Sequence, residues 1–346
     1  MTEPLLSPLT VEQGIDLQPF NSLALPARAE YFCSVDSLGQ VRQALDFANE
    51  HNIAITLLGG GSNLVIASDI HGLVIHIALA GYSAQLVNPQ TVDVTFAAGE
   101  DWHQMVIMCL NSGWYGMENL ALIPGSMGAA PIQNIGAYGT ELCDLLQSLD
   151  AIEIATGELL TLSCNDCNFG YRTSIFKQAA KDQYIITAVT LRLSTVPLVN
   201  VKYPVLRDAL SGHKLTPEKV FAAVCDIRRN KLPNPKEIPN VGSFFKNPDV
   251  SEQVASQLLT VYPAMPNFPQ AKSRIKIPAA WLIESCGFKG CRQGDVGIHS
   301  RQALVIVNYG GNGQDILSLA SQIQAQVYKK FGITLDIEPR IYGVSI

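Results

Sequence analysis

No apolar stretch in this chain approaches the roughly 20 residues needed to cross a bilayer; the longest are strand-sized. The opening Met1-Thr2-Glu3-Pro4-Leu5-Leu6-Ser7 holds neither the basic nor the apolar region of a secretory leader. A cytoplasmic protein without a membrane partner is therefore expected. Positive charge is in deficit, 24 Lys and Arg against 30 Asp and Glu, which argues against a broad basic surface for nucleic acid. The eight cysteines are scattered without a framework, as free thiols in a reducing compartment are. Cys164 and Cys167 form a lone CxxC with no second pair, and the six histidines show no HExxH-like spacing, so no metal is expected. No glycine-rich loop opens a helix as a Rossmann fingerprint must, and the Gly-Lys-Ser/Thr of a Walker A loop is missing.

What is present is a chain of 346 residues, 47% hydrophobic, enough for a sizeable core in two or three domains. Its most informative stretch is 123–139, whose seventeen residues include four glycines, three alanines and two prolines but a single aromatic, Tyr138. That composition cannot build a core. Glycine permits positive φ and close backbone approach, and consecutive N–H groups in such a loop form an anion-binding concavity. A second loop, Gly59-Gly60-Gly61-Ser62-Asn63, lies between two short β-branched runs and so joins strand to strand. Two such loops suggest a dinucleotide gripped from two sides by irregular backbone.

Apolar spacing predicts helices over 37–49, 101–112, 251–259, 279–285 and 314–330, the last stopping near Gly332. Strands are predicted near 53–58, 64–67, 73–77, 91–98, 184–193 and 303–308, with a hairpin-like pair flanking Thr156-Gly157. Residues 1–20 read as an irregular arm, and the Pro- and Asn-rich stretch 232–240 as a linker. Strands and helices mix without strict alternation, giving an α+β class.

Three segments carry charged or reactive groups in awkward settings. Arg172 stands in Gly170-Tyr171-Arg172-Thr173-Ser174; Ser243 follows a glycine and precedes Phe244-Phe245; Glu338 is held extended by Pro339. Taken singly, each has a plain alternative: a surface ion pair, a turn or cap residue, an edge-strand carboxylate.

The two glycine loops, the Gly-Tyr-Arg-x-Ser-x-Phe-Lys run, the Gly-Ser-Phe-Phe-Lys-Asn-Pro run and the Glu-Pro-Arg near the C-terminus stand together in one order. In that order, from Asn21 onward, the chain resembles the UDP-N-acetylenolpyruvoylglucosamine reductases, FAD enzymes of bacterial peptidoglycan synthesis. The resemblance implies a vanillyl-alcohol-oxidase (PCMH) type FAD-binding fold in two subdomains, 1–80 with 339–346 and 81–231, plus an α+β substrate-binding domain over 232–338. It implies NADPH as hydride donor, a small UDP-sugar substrate and a monomer. Arg172, Ser243 and Glu338 match the catalytic residues, with Ser243 as proton donor and the other two stabilising the enol-like intermediate.

The flavin contacts implied are Gly59, Gly60, Gly61, Ser62 and Asn63 from one loop. From the other come Pro124, Gly125, Ser126, Gly128, Ala129, Gln133, Asn134, Gly136 and Ala137. Neither loop contains His or Cys, which argues for noncovalent FAD. Tyr138, Tyr203, Lys231, Asn247, Gln302 and Arg340 match substrate-facing positions. Phe268 stands where longer (type I) members carry a tyrosine. A different FAD-dependent oxidoreductase of the same fold, or a non-catalytic flavin sensor, stays open as an alternative.

Overall fold

The computed structural model describes residues 8–343. In chain order the strands and helices are β1 (Glu12–Asp16), β2 (Arg28–Val35), α1 (Leu38–His51), β3 (Ile55–Leu58), β4 (Leu64–Ile66), β5 (Ile70–Ile77), β6 (Tyr82–Asn88), β7 (Thr91–Ala97), α2 (Trp102–Asn111), β8 (Gly136–Ala137), β9 (Thr140–Glu141), β10 (Leu146–Glu153), β11 (Leu159–Ser163) and β12 (Tyr184–Ser194). There follow α3 (Pro204–Ala209), α4 (Pro217–Lys231), β13 (Asn240–Ser243), β14 (Asp249–Ser251), α5 (Glu252–Val261), β15 (Phe268–Gln270), β16 (Arg274–Lys276), α6 (Ala279–Ser285), β17 (Arg292–Gln293), β18 (Val296–Ile298), β19 (Val305–Asn308), α7 (Gly313–Phe331) and β20 (Arg340–Tyr342).

These elements form two compact units. The first takes the chain up to Ile15, Ala29–Gly61 and Ile70–Arg228; the second takes Asp16–Arg28, Ser62–Asp69 and the chain from Arg229 onward. This grouping differs from the expected one at 16–28, 62–69, 229–231 and from 339 onward, all of which join the second unit. The reason is pairing: β20 runs parallel to β4, with Arg340 opposite Leu64, and Leu23 and Leu25 enter the core of the second unit.

The first unit holds two sheets. One is ordered β1-β2-β5-β3, with β2 and β3 both parallel to β5. Helix α1 covers it because Val41, Ala44, Leu45 and Ala48 recur on one face and are buried with Val35, Leu73 and Ile75. Ser37 caps the helix, its Oγ accepting from Gln40 N at 3.3 Å, and left-handed Asn52 ends it. The other sheet is antiparallel, β11-β10-β12-β7-β6, and buries Phe96, Val189, Leu191 and Leu193 against Trp102 of α2.

In the second unit α7 lies in the core with α6 and the sheet β13-β19-β18-β17, burying Ile316, Leu319, Ile323 and Val327. Each such side chain contributes roughly 1.5–3 kcal/mol of burial. A capping box at Asn312 and Asp315 starts α7, and Gly332 at φ 67° stops it.

The expected irregular arm is corrected in part: 12–16 is a strand and Gln18–Phe20 a short 3₁₀ turn, while 1–7 lie outside the described residues. Helix α4 and edge strand β6 went unpredicted. The signal for α4 was present in Thr216, whose Oγ1 accepts from Lys219 N at 3.3 Å, followed by Pro217 in the first turn.

One buried carboxylate sets a pH response. Glu118, 4% exposed, has its pKa raised chiefly by burial, with Glu218 adding, while the N–H of Gly116 at 2.9 Å pulls the other way. A raised carboxyl is stabilising below its unfolded value, and that contribution is lost as pH rises through the folded value. Glu118→Gln keeps an acceptor for Gly116 N and removes the titration. Melting temperatures compared at about pH 5 and pH 8 should therefore fall less in the variant than in the parent. An identical fall in both would show that Glu118 does not set the response.

Candidate functional site

The two glycine loops meet within the first unit. A Cβ on Gly60 would lie 2.9 Å from Gly125 Cα and 3.3 Å from Ser126 N, and one on Gly59 would lie 2.6 Å from Ser126 Oγ and 3.6 Å from Ala129 Cβ. Gly61 and Gly125 also need positive φ, 60° and 119°. The second loop is docked by Gly125 O accepting from Trp102 N at 3.0 Å, and by Met127 N and Gly128 N donating to Glu100 O and Ala98 O, both at 2.8 Å.

This arrangement corrects the anion-binding reading in part. The Met127 and Gly128 amides are engaged by backbone, and Gly128 is small because a Cβ there would meet Ala98 Cβ at 2.5 Å. Asn134 is fully buried in the left-handed region. Its Nδ2 donates to Glu141 Oε2 at 2.8 Å and its Oδ1 accepts from Cys143 N at 3.0 Å, so its side chain closes the loop. Gly136 makes room for Glu141 and Arg172 Nη1. Gln133 accepts from Lys177 Nζ at 3.4 Å, and Ala137 pairs with Thr140. The backbone of Gly59, Gly60 and Gly61 with Pro124, Gly125 and Ser126 remains a cradle of small residues that fits a diphosphate-bearing cofactor such as FAD. Ser62 and Asn63 belong to the second unit, where Asn63 O accepts from Arg340 N at 3.0 Å.

Gly60→Val should yield folded protein with most of its flavin lost, read as the absorbance ratio of flavin to protein and a retained far-ultraviolet dichroism spectrum. The added methyls meet backbone that cannot yield without parting the loops. Full flavin occupancy would remove this loop from the cofactor site.

Arg172 sits at φ 53° in a tight turn closed by Gly170 and Thr173. Its Nη2 donates to Gly136 O at 2.7 Å, and its guanidinium lies 5.7 Å from the Tyr171 ring. A second guanidinium, unpredicted from sequence, belongs to this cluster. Arg228 has its pKa lowered first by burial, with Arg172 adding to the fall and Tyr138 opposing it. Its Nε is buried with no hydrogen-bond partner among the described residues. The signal was helical: Val220, Val224 and Arg228 share one face of α4 at i, i+4 and i+8. Tyr138 has its pKa raised by burial, against the pull of Arg228, and its ring packs edge-on to Tyr203 at 5.5 Å. The first unit thus gathers two cations and two phenols beside the 136–139 corner, an arrangement suited to an anionic, ring-bearing ligand.

In the second unit backbone pairing runs the segment after Ser243 alongside the segment that carries Glu338. Asn240 fixes the approach: its N donates to Ser22 O at 2.9 Å and its Oδ1 accepts from Gly242 N at 2.8 Å. Ser243 ends β13 opposite Val305. Phe244 N then donates to Leu304 O at 2.8 Å, while Phe244 O accepts from Glu338 N at 2.9 Å and Lys246 N donates to Asp336 O at 2.9 Å. Ser243 is followed by two phenylalanines under 2% exposed, and the paired segment carries the 8% exposed Glu338. Ser243 thus stands at the end of a strand that leads into an apolar wall, and Glu338 is paired through its backbone to Phe244.

The remaining predicted residues are more dispersed. Asn247 Oδ1 accepts from Ala279 N at 2.9 Å and so caps α6. Gln302 Oε1 accepts from Leu304 N at 3.3 Å. Arg340 stacks over Tyr342 at 4.7 Å. Lys231 is exposed at the end of α4, Tyr203 caps α3 at 42% exposure, and Phe268 is 54% exposed on β15. Among the described residues no three or more His, Cys, Asp or Glu could hold a metal, and no helix is long and apolar enough to cross a membrane.

The family model for an FAD-binding domain matches residues 29–163, and that for the C-terminal domain of UDP-N-acetylenolpyruvoylglucosamine reductase matches 234–342. The UDP-N-acetylenolpyruvoylglucosamine reductase of Pseudomonas savastanoi pv. phaseolicola is 42% identical over 340 residues, covering 96% of this chain and 99% of its own. That of Chromobacterium violaceum is 42% identical over 338 residues with the same coverage. The crystal structure of the Thermus caldophilus reductase superposes with a TM-score of 0.67 at 22% identity, across 97% of this chain and 100% of that one. Matched end to end at this identity, with both domain models in order, this chain belongs to the UDP-N-acetylenolpyruvoylglucosamine reductase family.

Proposed function

We propose that this chain reduces UDP-N-acetylenolpyruvoylglucosamine to UDP-N-acetylmuramate for peptidoglycan synthesis, as a cytoplasmic monomer using noncovalent FAD and NADPH. The reading is supported by the full-length likeness to reductases of that name. The observation that supports it is the antiparallel pairing of the Ser243–Phe245 and Ile337–Glu338 segments, which brings the two stretches of chain bearing these residues side by side. The backbone of Gly59–Gly61 and Pro124–Ser126 would hold FAD, which when bound would supply the hydride for the enolpyruvyl double bond.

The protein's part is charge and protons. Hydride addition next to a carboxylate builds negative charge on the substrate; Arg172 is the preorganised cation that stabilises it, and Glu338 polarises the substrate as a carboxylic acid donating a hydrogen bond, since an ionised carboxylate would repel that charge. Ser243 gives its hydroxyl proton to the adjacent carbon. Tyr138, Tyr203, Lys231, Asn247, Phe268, Gln302 and Arg340 bind the UDP sugar. Flavin falls to the regions 1–80 and 81–231, and the sugar nucleotide to 232–338.

One experiment separates this reading from its rivals. The purified yellow protein should be bleached by NADPH and recoloured on adding the enolpyruvyl nucleotide under anaerobic conditions. A flavin sensor would not bleach. A different oxidoreductase would bleach and stay colourless with this nucleotide.

A further inference from the structure

Tyr138 occupies a position that a tyrosine should avoid. Strands β8 and β9 pair Ala137 with Thr140, leaving Tyr138-Gly139 as a two-residue hairpin turn. Both turn residues have positive φ, 48° and 82°, which is the type I′ geometry that favours Asn, Asp or Gly first. A bulky residue persists in the left-handed region only where its surroundings hold it there.

The holder is Asn119. It is 2% exposed, in the short turn Glu118–Leu120, which is itself anchored by Trp102 Nε1 donating to Leu120 O at 2.9 Å. The Nδ2 group of Asn119 donates to Tyr138 O and to Asn200 O, each at 2.8 Å. Asn200 Nδ2 closes the circuit by donating to Gly139 O at 2.9 Å and Thr140 Oγ1 at 3.1 Å. The 200–203 segment also lies directly on the turn, since a Cβ at Gly139 would sit 3.8 Å from Tyr203 Cβ. One buried amide therefore ties two sequence-distant segments together, and each presents one member of the Tyr138–Tyr203 aromatic pair.

We propose that Asn119 is a positioning residue for substrate, locking the Tyr138 corner to the Tyr203 segment so that the two rings receive the sugar nucleotide as one preformed surface. This rests on the reading above that Tyr138 and Tyr203 meet the substrate. Both hydrogens of the amide are used on carbonyls. Asn119→Asp would set carboxylate oxygen against two carbonyl oxygens, and Asn119→Ala would leave both carbonyls without their donor. Either change removes one of the two amides that tie the segments, leaving only the Asn200 bonds to Gly139 and Thr140, so that the relative position of the two rings is loosened while both rings are kept.

The test measures the dissociation constant of the enolpyruvyl nucleotide by calorimetry on flavin-loaded protein, with flavin content and melting temperature alongside. Asn119→Asp should weaken binding by roughly tenfold or more, the worth of two lost hydrogen bonds, with flavin occupancy kept. Tyr203→Ala should weaken it too. The Asn119→Ala/Tyr203→Ala double variant should bind no more weakly than the worse single one, because each destroys the same surface. Multiplied losses in the double variant overturn the proposal. So does a parallel drop in flavin content and melting temperature in both Asn119 variants, the signature of a merely structural amide. Full affinity in Asn119→Asp with weakened Tyr203→Ala sinks the role of Asn119 alone. Full affinity in Tyr203→Ala sinks the assignment of Tyr203 to substrate, and this role with it.

Discussion

Ser243→Ala is expected to hold its flavin, to be bleached by NADPH at close to the parental rate, and to be recoloured by the enolpyruvyl nucleotide roughly a hundred- to ten-thousandfold more slowly, the usual range for a lost general acid. The asymmetry follows from where the proton is needed. Reduction by NADPH calls for no proton on carbon; completion of the sugar nucleotide does. The local structure makes the substitution mild in every other respect. Ser243 is the last residue of β13, and its neighbours are fixed by backbone bonds, Phe244 N to Leu304 O at 2.8 Å and Glu338 N to Phe244 O at 2.9 Å, that an alanine leaves intact. Ser243→Cys should recover part of the rate, since a thiol also donates. Stopped-flow absorbance separates the two half-reactions. Equal slowing of both in fully flavinylated Ser243→Ala would return the residue to the role of a strand end.

The helices that can be read from sequence are those whose information is local. Helix α1 carries its cap, its apolar stripe and its left-handed terminator within sixteen residues, and α7 has a capping box at one end and Gly332 at the other. Helix α4 is not legible from apolar spacing because its stripe is broken by Asp226, Arg228 and Arg229, even though Thr216-Pro217 marks its start. Edge strand β6 is exposed along its whole length, so no alternation of burial announces it.

The site divides on the same line. That the two glycine stretches form loops is a matter of composition. That Gly60 packs on Gly125, that Gly128 is small because Ala98 is there, and that Asn134 closes its own loop are consequences of pairings between distant segments, which no local pattern encodes. Arg228 is the clearest case. On a sequence it is one of two adjacent surface cations, and only the packing of α4 beside Tyr138 and Arg172 turns it into a half-buried charge with its Nε out of reach of solvent.

Glu338→Gln is expected to lower turnover by about a hundred- to thousandfold, with flavin content and melting temperature close to parental, as for loss of one preorganised electrostatic group. The reasons to expect so large an effect from one atom are geometric. Glu338 is 8% exposed, so water competes little for a hydrogen bond that its carboxyl donates to the substrate. Its backbone is held both by Phe244 O, which accepts from its N–H at 2.9 Å, and by the Phe245–Ile337 bridge. Pro339 removes a further rotation on its C-terminal side. The backbone that presents the carboxyl is thus fixed, and the glutamine takes up its volume without its acidic proton. If the carboxyl matters only to fold the strand, the amide should cost stability and leave turnover per flavin unchanged. If it polarises the substrate as charge develops, turnover per flavin should collapse while nucleotide affinity changes little, because the interaction strengthens only on the way to the transition state. Steady-state rates normalised to bound flavin, set beside the nucleotide dissociation constant, distinguish these outcomes. Near-parental turnover would leave Glu338 as an edge-strand carboxylate and shift the burden of charge stabilisation to the guanidiniums of Arg172 and Arg228.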